Sequence, residues 1–231
     1  MIENQNTIAS LEQKIEYQFK NLALLQQALT HPSLKQHDRD TQDYERLELL
    51  GDAILGFIVT EMVYNHYHHY TEGQLAKIKA YVVSKDIVVK IANQLGIAQY
   101  IIMTHGEEKS GGRLNSNNME NAMEALIAAI YLDSDIQQTK IIVARLWSDH
   151  IENTDLQLID PKSTLQELVQ KQSKTNPVYK VINTTGLAHS PVFTIQVSTD
   201  NHIATATGLS IKEAEKKAAS QLIKKIKQNN E

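Results

Sequence analysis

The sequence predicts a mainly helical N-terminal domain followed by a small α+β domain of order α-β-β-β-α. Three observations carry this. Apolar residues recur at helical spacing from Ile8 to Ile151 with no alternating strand pattern, and three short β-rich runs crowd between residues 177 and 207. The formal charge also changes sign. Residues 1–154 hold 13 Lys and Arg against 20 Asp and Glu, net −7, whereas residues 155–231 hold 10 against 7, net +3. An acidic part joined to a basic part suits metal use in the first and a grip on a polyanion in the second.

With 231 residues, 42% of them hydrophobic, the chain can bury the cores of one large or two ordinary domains. The absence of cysteine rules out disulfides and cysteine-ligated zinc and fits a reducing compartment. The N-terminus lacks a basic-then-apolar signal, and no uninterrupted apolar run approaches the roughly 18 residues that span a bilayer. The expectation is a soluble, cytoplasmic protein with no membrane partner.

Residues 8–30 read as two short amphipathic helices broken near Lys20-Asn21, with Ile8, Leu11, Ile15 and Phe19, then Leu22, Leu25, Ala28 and Leu29, as apolar faces. His31-Pro32-Ser33 reads as a turn closing the second. Residues 35–43 form a polar loop, with Asp43 as N-cap of the next helix.

That helix, Glu45 to Tyr64, is the centre of the sequence. Glu45, Glu48 and Asp52 share one stripe, and Leu47, Leu50, Ile54 and Ile58 lie on the other side. Carboxylates crowded on one face repel unless they are solvated, separated or share a cation, and hard cations prefer such oxygens. Residues 119–131 repeat the theme: Asn121 and Glu124 stand at i, i+3 among Ala122, Ala125, Leu126, Ala129 and Ile130, small enough for a second helix to approach. Two helices could face one ion.

Between them, His66-Tyr-His-His-Tyr70 reads as an exposed helix end, because its histidines have no i+4 partner on one face. Thr71 caps a helix through Val83, and Glu72 sits in its first turn, where the dipole favours an acid. A helix over 86–102 ends at Gly96. Gly106 to Arg113 reads as a flexible loop without a phosphate-loop pattern. A helix over 136–151 closes this part with Ile141, Ile142, Ala144, Leu146 and Trp147 in the core.

Residues 152–159 read as a linker. Asp160-Pro161 starts a helix to about Lys171. Strands follow at 177–182, 192–197 and 203–207, separated by Gly186 and by Asp200-Asn201. Ser210 and Glu213 form a capping box for a last helix with the apolar stripe Ile211, Ala214, Ala218, Leu222 and Ile226.

ERLELLGDAIL resembles the signature of the ribonuclease III family, and ENAMEALIAAIYLD resembles that family's second acidic helix. The tail resembles a double-stranded RNA-binding domain through Thr164, Gln166 and Glu167 on its first helix, Gly186-Leu-Ala-His189 between strands, and Ser210, Lys212, Lys216 and Lys217 at its last helix. The resemblance implies a ribonuclease III-like catalytic domain over 8–151, a linker over 152–159 and the RNA-binding domain over 160–228. It implies a homodimer that uses Mg2+, with Mn2+ as substitute and no organic cofactor. Each of its two centres would cut one strand of double-stranded RNA, such as ribosomal and other structured precursors, leaving 5′-phosphate and 3′-hydroxyl ends with short 3′ overhangs.

Carried onto this chain, Glu48, Asp52, Asn121 and Glu124 hold the metal, and Asp52, Glu124, Glu45 and Glu72 form the catalytic set, Glu45 and Glu72 lining the cleft and helping to place RNA, water or a second ion. The first helix and the His189 loop would touch successive minor grooves of an A-form duplex, with lysines on the phosphates between. The chain departs from the family at four positions. Asn121 stands where an aspartate is usual, Leu49 where Phe is usual at the dimer contact, Tyr44 where Asn is common, and Ile211 where Lys or Arg is usual; many members also have Lys at Glu215. Asn121 keeps an oxygen ligand but loses its charge. This leaves open a double-stranded RNA-binding regulator with weakened or lost cleavage. A helical metallohydrolase acting on small phosphoesters is the other alternative.

Overall fold

The computed structural model describes residues 2–36, 41–173, 175–187 and 190–228. It divides into two compact units, residues 1–153 and 154–231. Among the described residues no helix is long and apolar enough to cross a membrane.

The first unit is helical. Helix α1 (Ile2–Ile15) and α2 (Leu22–Ala28) lead through a 3-10 turn at Pro32–Gln36 to α3 (Glu45–His66). His31 sits in this turn as expected, its Nδ1 accepting the Ser33 N–H. The polar loop before α3 lies partly outside the described residues. Tyr44 is the N-cap of α3, in place of Asp43; the Asp43 carboxylate accepts the Glu45 N–H from one residue further out.

Helix α4 (Glu72–Val82) begins in a capping box in which Thr71 and Gln74 satisfy each other's orphan N–H groups. Helix α5 (Lys85–Leu95) ends at Gly96, whose φ of 69° gives the left-handed cap. The stretch expected as a flexible loop is regular. Thr104 caps α6 (His105–Lys109), a 3-10 turn spans Gly112–Leu114, and Arg113 ties both down by donating to the carbonyls of Ala98 and Ile101. Backbone carbonyls hold this segment, and side-chain periodicity does not, so no sequence pattern announces it.

Helix α7 (Ser116–Asp133) runs through the centre, with every residue from Ala122 to Ile130 buried, and α8 (Ile136–Glu152) completes the unit. Trp147 on α8 is fully buried and donates its indole N–H to Val82 O at 3.0 Å, whereas Ile141, expected in the core, is 63% exposed.

The second unit opens with a four-residue helix α9 (Leu156–Ile159) inside the stretch read as linker. Helix α10 (Pro161–Ser173) follows, with Asp160 accepting the Ser163 N–H. Strands β1 (Val178–Leu187), β2 (Ser190–Ser198) and β3 (Ile203–Gly208) form an antiparallel sheet in sequence order, and α11 (Ile211–Gln228) closes the unit. Gly186 does not separate the strands; it pairs with Pro191 inside them, so the hairpin is longer than expected. Leu165 and Val169, Ile195 and Val197, Ala204 and Ala206, and the Ala214–Ile226 stripe of α11 form one core. Ile211 is 45% exposed and stands outside that stripe.

Candidate active site and RNA-binding face

The acidic centre exists because α3 and α7 cross very closely. A Cβ added at Gly51 would meet the carbonyl oxygen of Glu124 at 1.8 Å and its carbon at 2.4 Å. Only glycine fits there, and the close approach brings the α3 segment that carries Glu48 and Asp52 up to Glu124. Leu47, Ile54, Leu55 and Ile58 hold α3 against the unit's core.

Glu124 is 8% exposed. Among the described residues its carboxylate has no hydrogen bond or ion pair. Burial, and then the charges of Asp52, Glu120 and Glu48, push its pKa up to about 8. Glu48 is raised too, by partial burial and by Glu45, Glu120 and Asp52. The carboxylates of α3 and α7 therefore share one field, with Asp52 exposed at its edge.

Glu120 is a member of this group that sequence reasoning missed. It pairs with Lys85 at 3.3 Å and acts on both Glu48 and Glu124. Its i, i+4 spacing to Glu124 is the signal that could have found it. Glu45 turns outward, its side chain 58% exposed and paired at 3.1 Å with Lys35, which also binds Asp43 at 2.6 Å.

Glu72 lies elsewhere. It lines a pocket with Thr60, Val63, Tyr64, Leu75 and Lys79. Thr60 is eight residues beyond Asp52, roughly 12 Å along the helix axis. Within one chain Glu72 is not brought to the other acids. The histidines at 66, 68 and 69 are exposed, and His66 stacks edge-on against Tyr67 at 4.6 Å.

The Tyr44 ring is buried and its hydroxyl donates to Asn118 Oδ1 at 3.4 Å, on the face of α7 that also carries the half-buried Asn121. Burial dominates and pushes the phenol up to about 12.

In the second unit, Lys162 bridges the first turns of α10 and α11, pairing with Glu215 at 2.5 Å and sitting 4.6 Å above the Tyr179 ring. The bridge joins the helix that carries Thr164 and Gln166 to the one that carries Lys212 and Lys216. Gln166, Glu167, Ser210, Lys212, Lys216 and Lys217 are exposed, and Thr164 is half-buried with its hydroxyl on Asp160 O. Lys217 is engaged by Glu213 at 2.6 Å. The Glu213 carboxylate also accepts the Leu209 N–H while its own N–H donates to Ser210 Oγ, a capping box whose return bond reaches one residue further back than usual. His189 lies outside the described residues.

A family model described as Ribonuclease-III-like matches residues 21–150, and one described as Double-stranded RNA binding motif matches residues 161–226. The chain is 50% identical over 219 residues to Ribonuclease 3 of Rickettsia bellii, covering 94% of this chain and 96% of that protein. The chain belongs to the ribonuclease III family. It is a ribonuclease III-type endoribonuclease with a double-stranded RNA-binding motif. It is likewise 50% identical to Ribonuclease 3 of Rickettsia felis over 94% of this chain and 97% of the relative. The nuclease domain of ribonuclease III from Campylobacter jejuni aligns with a TM-score of 0.59 at 37% identity, over 64% of this chain and 98% of that domain.

Ribonuclease III enzymes are generally metal dependent. Among the described residues no three His, Asp or Glu side chains stand in a ready-made ion site. Like charges without an ion repel, and the exposed Asp52 and half-buried Glu48 can turn toward water. The donor chemistry still fits a hard divalent cation. Glu124, largely buried and without a hydrogen bond or ion pair among the described residues, feels the charges of Asp52, Glu120 and Glu48, and Lys85 pairs with Glu120.

Proposed function

We propose that the chain cleaves double-stranded RNA as a Mg2+-dependent homodimer of the cytoplasm, leaving 5′-phosphate and 3′-hydroxyl ends with short 3′ overhangs, and processes ribosomal and other structured precursors. The observation that carries this reading is Glu124, a carboxylate buried at a helix crossing with no partner of its own among the described residues and three other acids in its field. A fold keeps such a group where a positive charge is to be received.

Glu48, Asp52, Asn121 and Glu124 would hold the ion, which supplies charge for the scissile phosphate and acidifies a water. The protein's own residues do the rest. Gly51 sets the distance between the two helices, and Glu120 adds charge while Lys85 limits it. Leu49, 77% exposed on the first turns of α3, offers an apolar knob for a second copy. The Campylobacter nuclease domain carries a region involved in dimer formation. Pairing of two copies is the route by which Glu72, remote within one chain, would reach a cleft.

Duplex binding falls to the exposed residues of α10 and α11, with Gln166 and Thr164 on a minor groove and Lys212 and Lys216 on phosphates. The test is incubation of the full chain with a long RNA duplex and Mg2+ or Mn2+, with product ends mapped. Products with 5′-phosphates and short 3′ overhangs are expected. A mobility shift without products under either ion would replace this reading by a duplex-binding regulator in which neutral Asn121 has disarmed the site.

A further inference from the structure

We propose that Glu120 is a further carboxylate of the ion centre, supplying the charge that the neutral amide of Asn121 does not, and that Lys85 is a tethered counter-cation that gives Glu120 up when a divalent ion binds. The inference rests on the reading above that the acids of α3 and α7 receive an ion.

Two contacts fix how the helices run. At one end the Tyr44 hydroxyl reaches Asn118 Oδ1 at 3.4 Å, and at the other Gly51 stands against the Glu124 backbone. Both chains advance in the same direction between these contacts. The turn of α3 that carries Glu48 therefore faces the turn of α7 that carries Glu120 and Asn121. Around the α7 axis Glu120 and Asn121 flank Glu124, about 40° to one side and about 60° to the other. Glu120 stands one turn before Glu124, within the reach of i, i+4 neighbours, and its side chain is only 23% exposed. Its charge is felt by Glu124 on the same helix and by Glu48 across the crossing, and both carboxyls are raised by it.

Lys85 reaches Glu120 from α5. It is the first residue of that helix, and its Nζ stands 3.3 Å from Glu120 Oε2, the one ion pair that Glu120 makes among the described residues. The N-terminus of a helix disfavours a cation, so α5 itself gives the ammonium no hold. The Lys85 side chain is 36% exposed on a flexible stem, which lets the ammonium withdraw into water. A pair this open to solvent adds little to folding. Its place matters more than its strength. It lies one turn from Glu124, a buried carboxylate without a partner among the described residues, and a single ammonium offsets little of the field of four acids. A divalent ion carries twice the charge of Lys85. With that ion bound, Lys85 is free for solvent and the charge of Glu120 is turned to the centre.

The two residues should then act with opposite sign on one measurement. The test is a double-mutant cycle on the full chain: wild type, Glu120→Gln, Lys85→Met and the double variant. Binding of Mn2+ without RNA is read from the electron paramagnetic signal of the free ion, with circular dichroism to confirm folding, and duplex cleavage is titrated with Mg2+. Glu120→Gln is expected to weaken Mn2+ binding at least about tenfold, as for loss of one charged partner. Lys85→Met should strengthen it about two- to fivefold, as for release of one partly exposed ion pair, and Lys85→Arg, which keeps the cation, should not. In the Glu120→Gln background Lys85→Met should lose its effect. The Mg2+ needed for half-maximal cleavage should rise in Glu120→Gln and fall in Lys85→Met.

Unchanged Mn2+ binding in folded Glu120→Gln would overturn the proposal. So would unchanged or weaker binding in Lys85→Met, which would make the pair a staple between α5 and α7 only. If Glu120→Gln does not fold, the contrast between Lys85→Met and Lys85→Arg decides. Loss of Mn2+ binding in Glu124→Gln with no loss in Glu120→Gln would leave the ion reading standing and overturn this inference alone. A wild-type chain that binds Mn2+ but cuts no duplex sinks the nuclease reading and leaves the cycle decisive; one that binds no Mn2+ overturns both.

Discussion

The nuclease unit and the RNA-binding unit place their chemistry at opposite depths. In the first, Glu124 sits among buried residues of α7 against Gly51, so its properties are set by how two helices pack. In the second, every described candidate contact residue except Thr164 is exposed, on helices whose opposite faces form the core. A buried site changes only when the packing changes. An exposed site can change one side chain at a time, whereas Gly51 is fixed at the crossing by the Glu124 backbone; on the exposed side Glu215 of α11 is tied to Lys162 at 2.5 Å.

Gly51→Ala is the change expected to do most. Its methyl would stand 1.8 Å from the Glu124 carbonyl, and the contact is with backbone, which cannot swing aside. The helices must separate, at a cost of about 1–3 kcal/mol or more. Thermal unfolding should show the loss, and divalent-dependent cleavage should vanish even where the fold survives. Retention of both would mean that the crossing is not what assembles the acids.

Next is Glu124→Gln, which keeps the shape and removes the charge. Cleavage should fall by at least about 10²-fold, a typical loss for one electrostatic group, with duplex binding in a gel-shift assay unchanged because that work lies in the other unit. Undiminished cutting would place the metal elsewhere.

The same residue sets a pH dependence. Its pKa is raised from 4.5 to about 8, so the folded chain keeps a proton that the unfolded chain has lost over that interval. The contribution of Glu124 to metal-free stability is therefore full below pH 4.5 and is lost as pH rises through about 8. Denaturant midpoints of the metal-free protein should fall across that window in wild type and flatten in Glu124→Gln. Proton and cation compete, so cleavage at limiting Mg2+ should rise as pH approaches about 8.

These expectations show which parts of the molecule were legible in the sequence. Helices with a strong apolar period, such as α3 and α11, and capped starts such as Thr71 and Asp160, could be read directly, because local geometry decides them. The acidic stripe could be read for the same reason. What escaped was non-local. The segment from Thr104 to Leu114 is held by Arg113 reaching the carbonyls of Ala98 and Ile101, and the contact of Tyr44 with Asn118 spans 74 positions. Glu120 was passed over beside the more prominent Asn121, although its spacing to Glu124 was plain. Ile141 shows the converse error, an apolar residue at the right period that faces out.

Smallest in effect, and on the exposed side of the comparison, are the lysines of α11. Lys212 and Lys216 are exposed and carry no ion pair among the described residues, whereas Lys217 is held by Glu213 at 2.6 Å. Each phosphate contact releases about one counterion, so Lys216→Ala should lower duplex affinity for all sequences alike and reduce the slope of log affinity against log salt by about 1. Lys217→Ala removes a charge already partly neutralised and should reduce the slope by less. An equal change for both lysines in filter-binding titrations would show that Glu213 releases Lys217 when RNA arrives, and the difference in depth between the two units would then extend to a difference in how freely their charges regroup.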